Sequence, residues 1–137
     1  MTQSKKEKQI KWKIQEPAKT PGFALWNASN KWEREIKTIL KPYSITHVQY
    51  LLMASLLWLE TNEKNVTQRR LAAFAKTDIM MTSSVLRTLQ TKDFVKLKQN
   101  PEDSRAHAIT LTKKGSETVR NAVIEVESFE RIYHKDD

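Results

Sequence analysis

"DFVKLKQNPEDSRAHAITLT", Asp93–Thr112, decides how the rest of the chain is read. Phe94, Val95 and Leu97 stand on one side of "NPEDSRAH", and Ile109 and Leu111 stand on the other. Two short apolar-bearing runs around a segment rich in turn formers predict an antiparallel hairpin, with strands over Phe94–Lys98 and Ala108–Thr112. A plain surface turn needs a turn former and little else. This loop, residues 99–107, also carries Arg105 near its tip.

The segment before the hairpin, "EKNVTQRRLAAFAKTD", predicts a short helix capped by Thr67, with Leu71, Ala72 and either Phe74 or Ala75 turned inward. Lys76-Thr77-Asp78 reads as a break, and Thr77 or Asp78 caps a second helix over Ile79–Lys92. Val85, Leu86 and Leu89 mark the buried side of that helix; Met80, Ser83, Ser84 and Arg87 mark the other. Two short helices across a tight turn fit a helix-turn-helix. By periodicity alone they fit a helical hairpin with a solvated face equally well. A β-hairpin directly afterwards is the layout of a winged helix, and this order favours DNA binding.

After the hairpin, Thr112 is placed to cap a last helix. In it Val119, Ala122, Val123, Val126, Phe129 and Tyr133 recur at three- and four-residue steps. Gly115 in its first turn is a poor helix former, which predicts close packing against a neighbour. Before the module, Thr46-His47-Val48-Gln49 matches a capping box. The "YLLMASLLWLE" that follows is apolar nearly all round and predicts the buried central helix. Phe23–Leu40 reads as a helix with Leu25, Trp32, Ile36, Ile39 and Leu40 in one stripe, ended by Pro42. Phe23 and Trp26 lie off the stripe and suggest a second apolar contact, such as a partner subunit. In residues 1–21, Ile10, Trp12 and Ile14 alternate with lysines, which fits a short strand, a docking arm or a loose tail.

The 137 residues suit one domain behind a basic tail, 1–21 and 22–137. Within the larger part, 22–60 holds core helices, 65–111 the helix-turn-helix and hairpin, and 112–134 the last helix. Net charge is +8, with +4 in residues 1–19 and +4 in residues 67–105. Positive charge gathered in a tail and in one module is a nucleic-acid footprint, although a generally lysine-rich surface is the plainer reading. No apolar run reaches the roughly 20 residues of a membrane span, and no signal peptide is legible, so the expected location is cytoplasmic. Without cysteine there is no disulfide and no thiol chemistry. His47, His107 and His134 show no metal-ligand spacing, and two glycines cannot build a phosphate loop. No catalytic residue, metal or cofactor is expected, and the chain does not read as an enzyme.

With these residues laid out, the chain resembles the MarR family of bacterial transcription regulators over about residues 22–133. The most specific signal is Pro101-x-Asp103-x-Arg105 followed by Leu111-Thr112-x-x-Gly115, placed after a helix-turn-helix and a strand. "ITHVQYLLMASL", "VTQRRLAAFA" and "SSVLRTLQTKDFV" support it. The resemblance implies a mainly α (α+β) fold: a winged helix-turn-helix with a two- or three-stranded wing, flanked by N- and C-terminal dimerisation helices. It implies a homodimer on double-stranded DNA, acting as a repressor at a pseudo-palindromic operator. Helix 79–92 would enter the major groove and wing 99–107 the minor groove.

The expected DNA-binding residues are Gln68, Met80, Thr82, Ser83, Ser84, Arg87, Lys98, Asp103 and Arg105. Gln68 would contact phosphate, and Asp103 would orient the wing. Ser83, Ser84 and Arg87 are donors for bases or phosphates. One of Met80 and Met81 is expected to pack inward unless they meet thymine methyls. The resemblance also implies release by a small aromatic or lipophilic effector. Trp26, Trp32 and Trp58 are candidates to line its pocket, although core packing is the plainer account of them.

Three features depart from the family pattern. Asp93 stands where members often carry Gly. Leu97 stands where they often carry Arg, which leaves Lys96 or Lys98 for phosphates. Only 25 residues follow Thr112, room for one long helix. Two rival readings use the same sequence: a winged-helix module that binds protein rather than specific DNA, and anionic-membrane attachment through the basic tail.

Overall fold

The computed structural model describes residues 16–99 and 107–135. The alternating Ile10, Trp12 and Ile14, and the wing-tip residues Pro101, Asp103 and Arg105, lie outside the described residues. The order of elements is a 3₁₀ turn Pro17–Lys19, α1 Pro21–Leu40, a 3₁₀ turn Lys41–Tyr43, α2 His47–Asn62, α3 Gln68–Ala75, α4 Ile79–Thr91, β1 Val95–Gln99, β2 His107–Leu111 and α5 Lys113–Lys135. By packing, the chain forms two units, Met1–Glu35 and Ile36–Asp137, which divide inside α1.

In the first unit, Thr20 starts α1. Its hydroxyl donates to the Pro17 carbonyl at 2.8 Å and accepts from Phe23 N–H at 3.3 Å. The rings of Phe23 and Trp26 pack at 5.5 Å between centroids, yet both side chains stay exposed, as does Leu25.

The second unit is built around α2, which packs against α3, α4, α5 and β2. Its start is the predicted capping box: Thr46 Oγ1 accepts from Gln49 N–H, and Gln49 Oε1 accepts from Thr46 N–H. Leu52, Met53, Leu56 and Leu59 of α2 are buried, as are Ile36, Leu40, Leu71, Leu89, Val119, Ala122 and Val126 of the other helices. α2 is the central helix, as expected, but one of its apolar faces is not buried. Leu51 and Trp58, one face of the helix, are exposed, Trp58 to 62%. An apolar residue on every side shows that each face avoids water, not which face this chain covers by itself.

The predicted hairpin forms with Val95 opposite Leu111, Leu97 opposite Ile109 and Gln99 opposite His107. Between the two- and three-stranded alternatives the outcome, among the described residues, is two strands and a single bridge, Thr67 to Ala108, where Ile109 N–H donates to the Val66 carbonyl at 2.7 Å. The hairpin is also held from α2, since Glu60 Oε1 accepts from Leu111 N–H at 2.7 Å. Asp93 adopts φ 64°, the left-handed region, between α4 and β1. A residue with a Cβ stands where glycine would be least strained.

Thr112 does cap α5. Its Oγ1 accepts from Gly115 N–H at 2.9 Å and donates to the Asp93 carbonyl at 2.6 Å. One hydroxyl therefore satisfies an orphan amide of α5 and fastens that helix to the turn entering β1. Among the described residues no helix is long and apolar enough to cross a membrane.

Candidate nucleic-acid interface

The two helices of the module meet at a turn whose polar groups are almost all used. Thr67 Oγ1 accepts from Arg70 N–H and starts α3. Lys76 ends that helix in the left-handed region at φ 57°. Of the two candidate caps for α4, the carboxylate of Asp78 is the one used, accepting from Met81 N–H at 2.9 Å. Thr77 has a different part: its hydroxyl lies 2.6 Å from that of Thr82.

That contact overturns one expected DNA contact. Thr82 is 0% exposed, and its hydroxyl also donates to the Asp78 carbonyl at 2.8 Å. Its spacing on α4 matches the inner stripe with Leu86 and Leu89, which are buried too. A buried hydroxyl with partners on both sides closes the turn and cannot reach a base. The sequence disguised this because a polar side chain at a helix start reads as outward, while its partner, Thr77, lies beyond the preceding cap.

The remaining α4 positions divide clearly. Met80, Ser84 and Arg87 are exposed on one face, and Ser83 is half-buried beside them. Neither methionine packs inward: Met81 is exposed as well, with Ile79 before it. Gln68 is half-buried, and its side-chain amide donates to the Ile79 carbonyl at 3.4 Å, tying α3 to the first turn of α4.

The far end of α4 is fixed by Lys92. Its ammonium donates to the Ser44 carbonyl at 2.6 Å and to Gln49 Oε1 at 3.2 Å. Gln49 thus serves the α2 capping box and the end of α4 together. Across α3, Arg70 forms a forked pair with the Glu63 carboxylate, Nη2 to Oε1 at 2.6 Å, and lies over the Phe74 ring. The hydrogen bonds from Arg70 hold the Glu63 carboxyl below its ordinary range and raise the guanidinium above its own.

On β1, Lys96, Leu97 and Lys98 are all exposed, Leu97 opposite the buried Ile109. Two further exposed cations were not singled out in the sequence, Arg69 in the first turn of α3 and Lys76 at the break. The signal for Arg69 was present: with Leu71 and Ala72 inward, its position faces out. Of the three tryptophans considered for an effector pocket, Trp26 and Trp58 are exposed and Trp32 is half-buried, so core packing does not account for the first two.

Residues 45–107 match the family model described as MarR family. A Bacillus subtilis (strain 168) protein described as an uncharacterized HTH-type transcriptional regulator, YdcH, is 38% identical over 121 residues, covering 88% of this chain and 82% of its own length. The chain belongs to the MarR family. The fold of this MarR-family chain is shared by solved structures of low identity. One is the S. aureus MepR–DNA complex, with TM-score 0.76 and 19% identity over 83% of this chain and 80% of that one. Another is the transcriptional repressor CouR bound to a 23-mer DNA duplex, with TM-score 0.73 and 21% identity over 88% and 85%. In MarR-family terms, α3 and α4 are the helix-turn-helix, and β1 and β2 are the strands of the wing.

Proposed function

We propose that this chain is a DNA-binding transcription regulator that represses by occupying a short inverted repeat as a homodimer, with α4 in the major groove and wing 99–107 in the minor groove. The observation that carries the reading is how α4 is held. Gln68 and Thr77 engage its first turn, Leu86 and Leu89 anchor its inner side, and Lys92 fixes its end. Met80, Ser84 and Arg87 remain free to face a ligand. A rigid helix with one open face, among exposed cations at Arg69, Lys76, Lys96 and Lys98, suits a phosphate-lined groove.

Ser84 and Arg87 are the proposed polar contacts to bases or phosphates, with Ser83 secondary. Gln68 positions α4 and reaches phosphate only if it gives up the Ile79 carbonyl. Lys98 serves the backbone beside the wing, Arg105 enters the minor groove, and Asp103 orients the loop. The exposed apolar residues Phe23, Leu25 and Trp26 of α1, and Ile124 and Ile132 of α5, are the proposed material of the subunit interface. Repression, operator symmetry and dimerisation carry over from the family, whose structural relatives include DNA complexes and a named repressor. The exposed Leu51 and Trp58 face of α2 is the proposed place for an aromatic or lipophilic effector, a cytoplasmic signal that releases DNA.

Selection of bound fragments from the host's genomic DNA tests the reading. The expected result is enrichment of one short inverted repeat, with affinity falling steeply as salt rises. Retention of all fragments alike, or of none, overturns it.

A further inference from the structure

The first turn of α4 places three large apolar side chains in a row, Ile79, Met80 and Met81, all of them exposed, Met80 to 77%. Single exposed apolar residues are ordinary on a protein surface; three in one helical turn gather apolar surface around the start of α4. The core beneath the turn is already closed by Thr82, bonded to Thr77 and to the Asp78 carbonyl. Exposed cations accompany the patch: Arg69 on α3, Lys76 at the turn and Arg87 further along α4. Residues 67–99 hold seven Lys or Arg against two Asp. An apolar patch in a cationic module complements the major groove, whose edges are phosphates and whose apolar feature is the thymine C5-methyl group.

The cap chemistry points the same way. Met81 N–H, an amide that opens a helix and would otherwise face an arriving anion, already donates to the Asp78 carboxylate. That carboxylate repels a phosphate at this end of the helix, so side chains and base edges must make the contact.

We propose that Met80 selects thymine in the operator half-site by packing its thioether side chain on the C5-methyl group, with Ile79 and Met81 excluding water around it. The inference rests on the reading of α4 as a major-groove helix. Met80 and Arg87 are seven residues apart, about 10.5 Å along a helix at about 1.5 Å per residue.

The test uses an operator fragment enriched from genomic DNA by the full chain. Each thymine of the half-site is replaced in turn by deoxyuridine, which removes only the methyl group. At least one replacement is expected to weaken wild-type binding about fourfold, the equivalent of one buried methyl. Met80→Ala should bind the thymine and uracil duplexes alike, with unchanged thermal unfolding, while Met80→Leu keeps the discrimination. Equal wild-type affinity for every uracil duplex, or full discrimination by Met80→Ala, overturns the inference and leaves the DNA-binding reading standing. Enrichment of no fragment overturns both.

Discussion

A Cβ on Gly115 would stand 2.8 Å from the carbonyl carbon of Phe94 and closer still to its oxygen, so α5 and the entry to β1 meet backbone to backbone. The same Phe94 carbonyl accepts from Thr112 N–H at 3.0 Å, and the Thr112 hydroxyl joins the Asp93 carbonyl to Gly115 N–H. The end of the helix-turn-helix, the wing and α5 are thereby fixed at one point. Lys114, whose ammonium lies over the Phe94 ring and donates to the Lys92 carbonyl, covers it.

Gly115→Ala should therefore destabilise the fold although alanine is the better helix former. Helix propensity favours alanine by about 1 kcal/mol. Crowding against a backbone that cannot step aside costs more, leaving a net loss of roughly 1–3 kcal/mol. Urea unfolding of the two proteins measures it, and an alanine variant as stable as wild type contradicts the close approach.

Asp93 gives the opposite expectation. With φ at 64°, it carries a strain that glycine lacks, and only its backbone carbonyl is used by Thr112. Asp93→Gly should be more stable than Asp93→Ala by about 1 kcal/mol. Paired melting curves decide it, and equal melting temperatures would mean the left-handed turn is not kept in solution.

The forked pair between Glu63 and Arg70 predicts part of the acid response. Glu63 titrates below its ordinary value of 4.5 because Arg70 donates hydrogen bonds to its carboxylate. A lowered folded pKa means that the contribution is complete above about that value and is lost as pH falls through the folded one. Glu63→Gln should lose less stability than wild type on acidification below pH 4.5, while differing little in slope near neutrality. Parallel acid limbs for the two proteins would count against the pair.

Arg105→Ala should weaken operator binding by roughly 1–3 kcal/mol and leave folding intact. The expectation comes from the wing motif, since Arg105 lies outside the described residues. The salt dependence should become shallower if the guanidinium displaces counterions in the groove. An unchanged gel-shift affinity removes the wing from the reading.

Much of this protein was legible as sequence because its decisive signals are local. Caps act over three residues, so Thr46, Thr67 and Thr112 marked three helix starts correctly. Alternation and turn formers marked the hairpin within one residue at each end. Gly115 announced a close approach, although not which neighbour imposed it. Tertiary structure alone decided what depends on partners far along the chain. Thr82 is polar and yet buried because Thr77 meets its hydroxyl across the turn. Lys92 is a structural clamp rather than a free surface cation because Ser44, 48 residues away in sequence, offers its carbonyl. Trp58 and Leu51 stay exposed among the described residues, although α2 reads as apolar nearly all round. Periodicity reports which side chains avoid water; only packing determines which of them succeed.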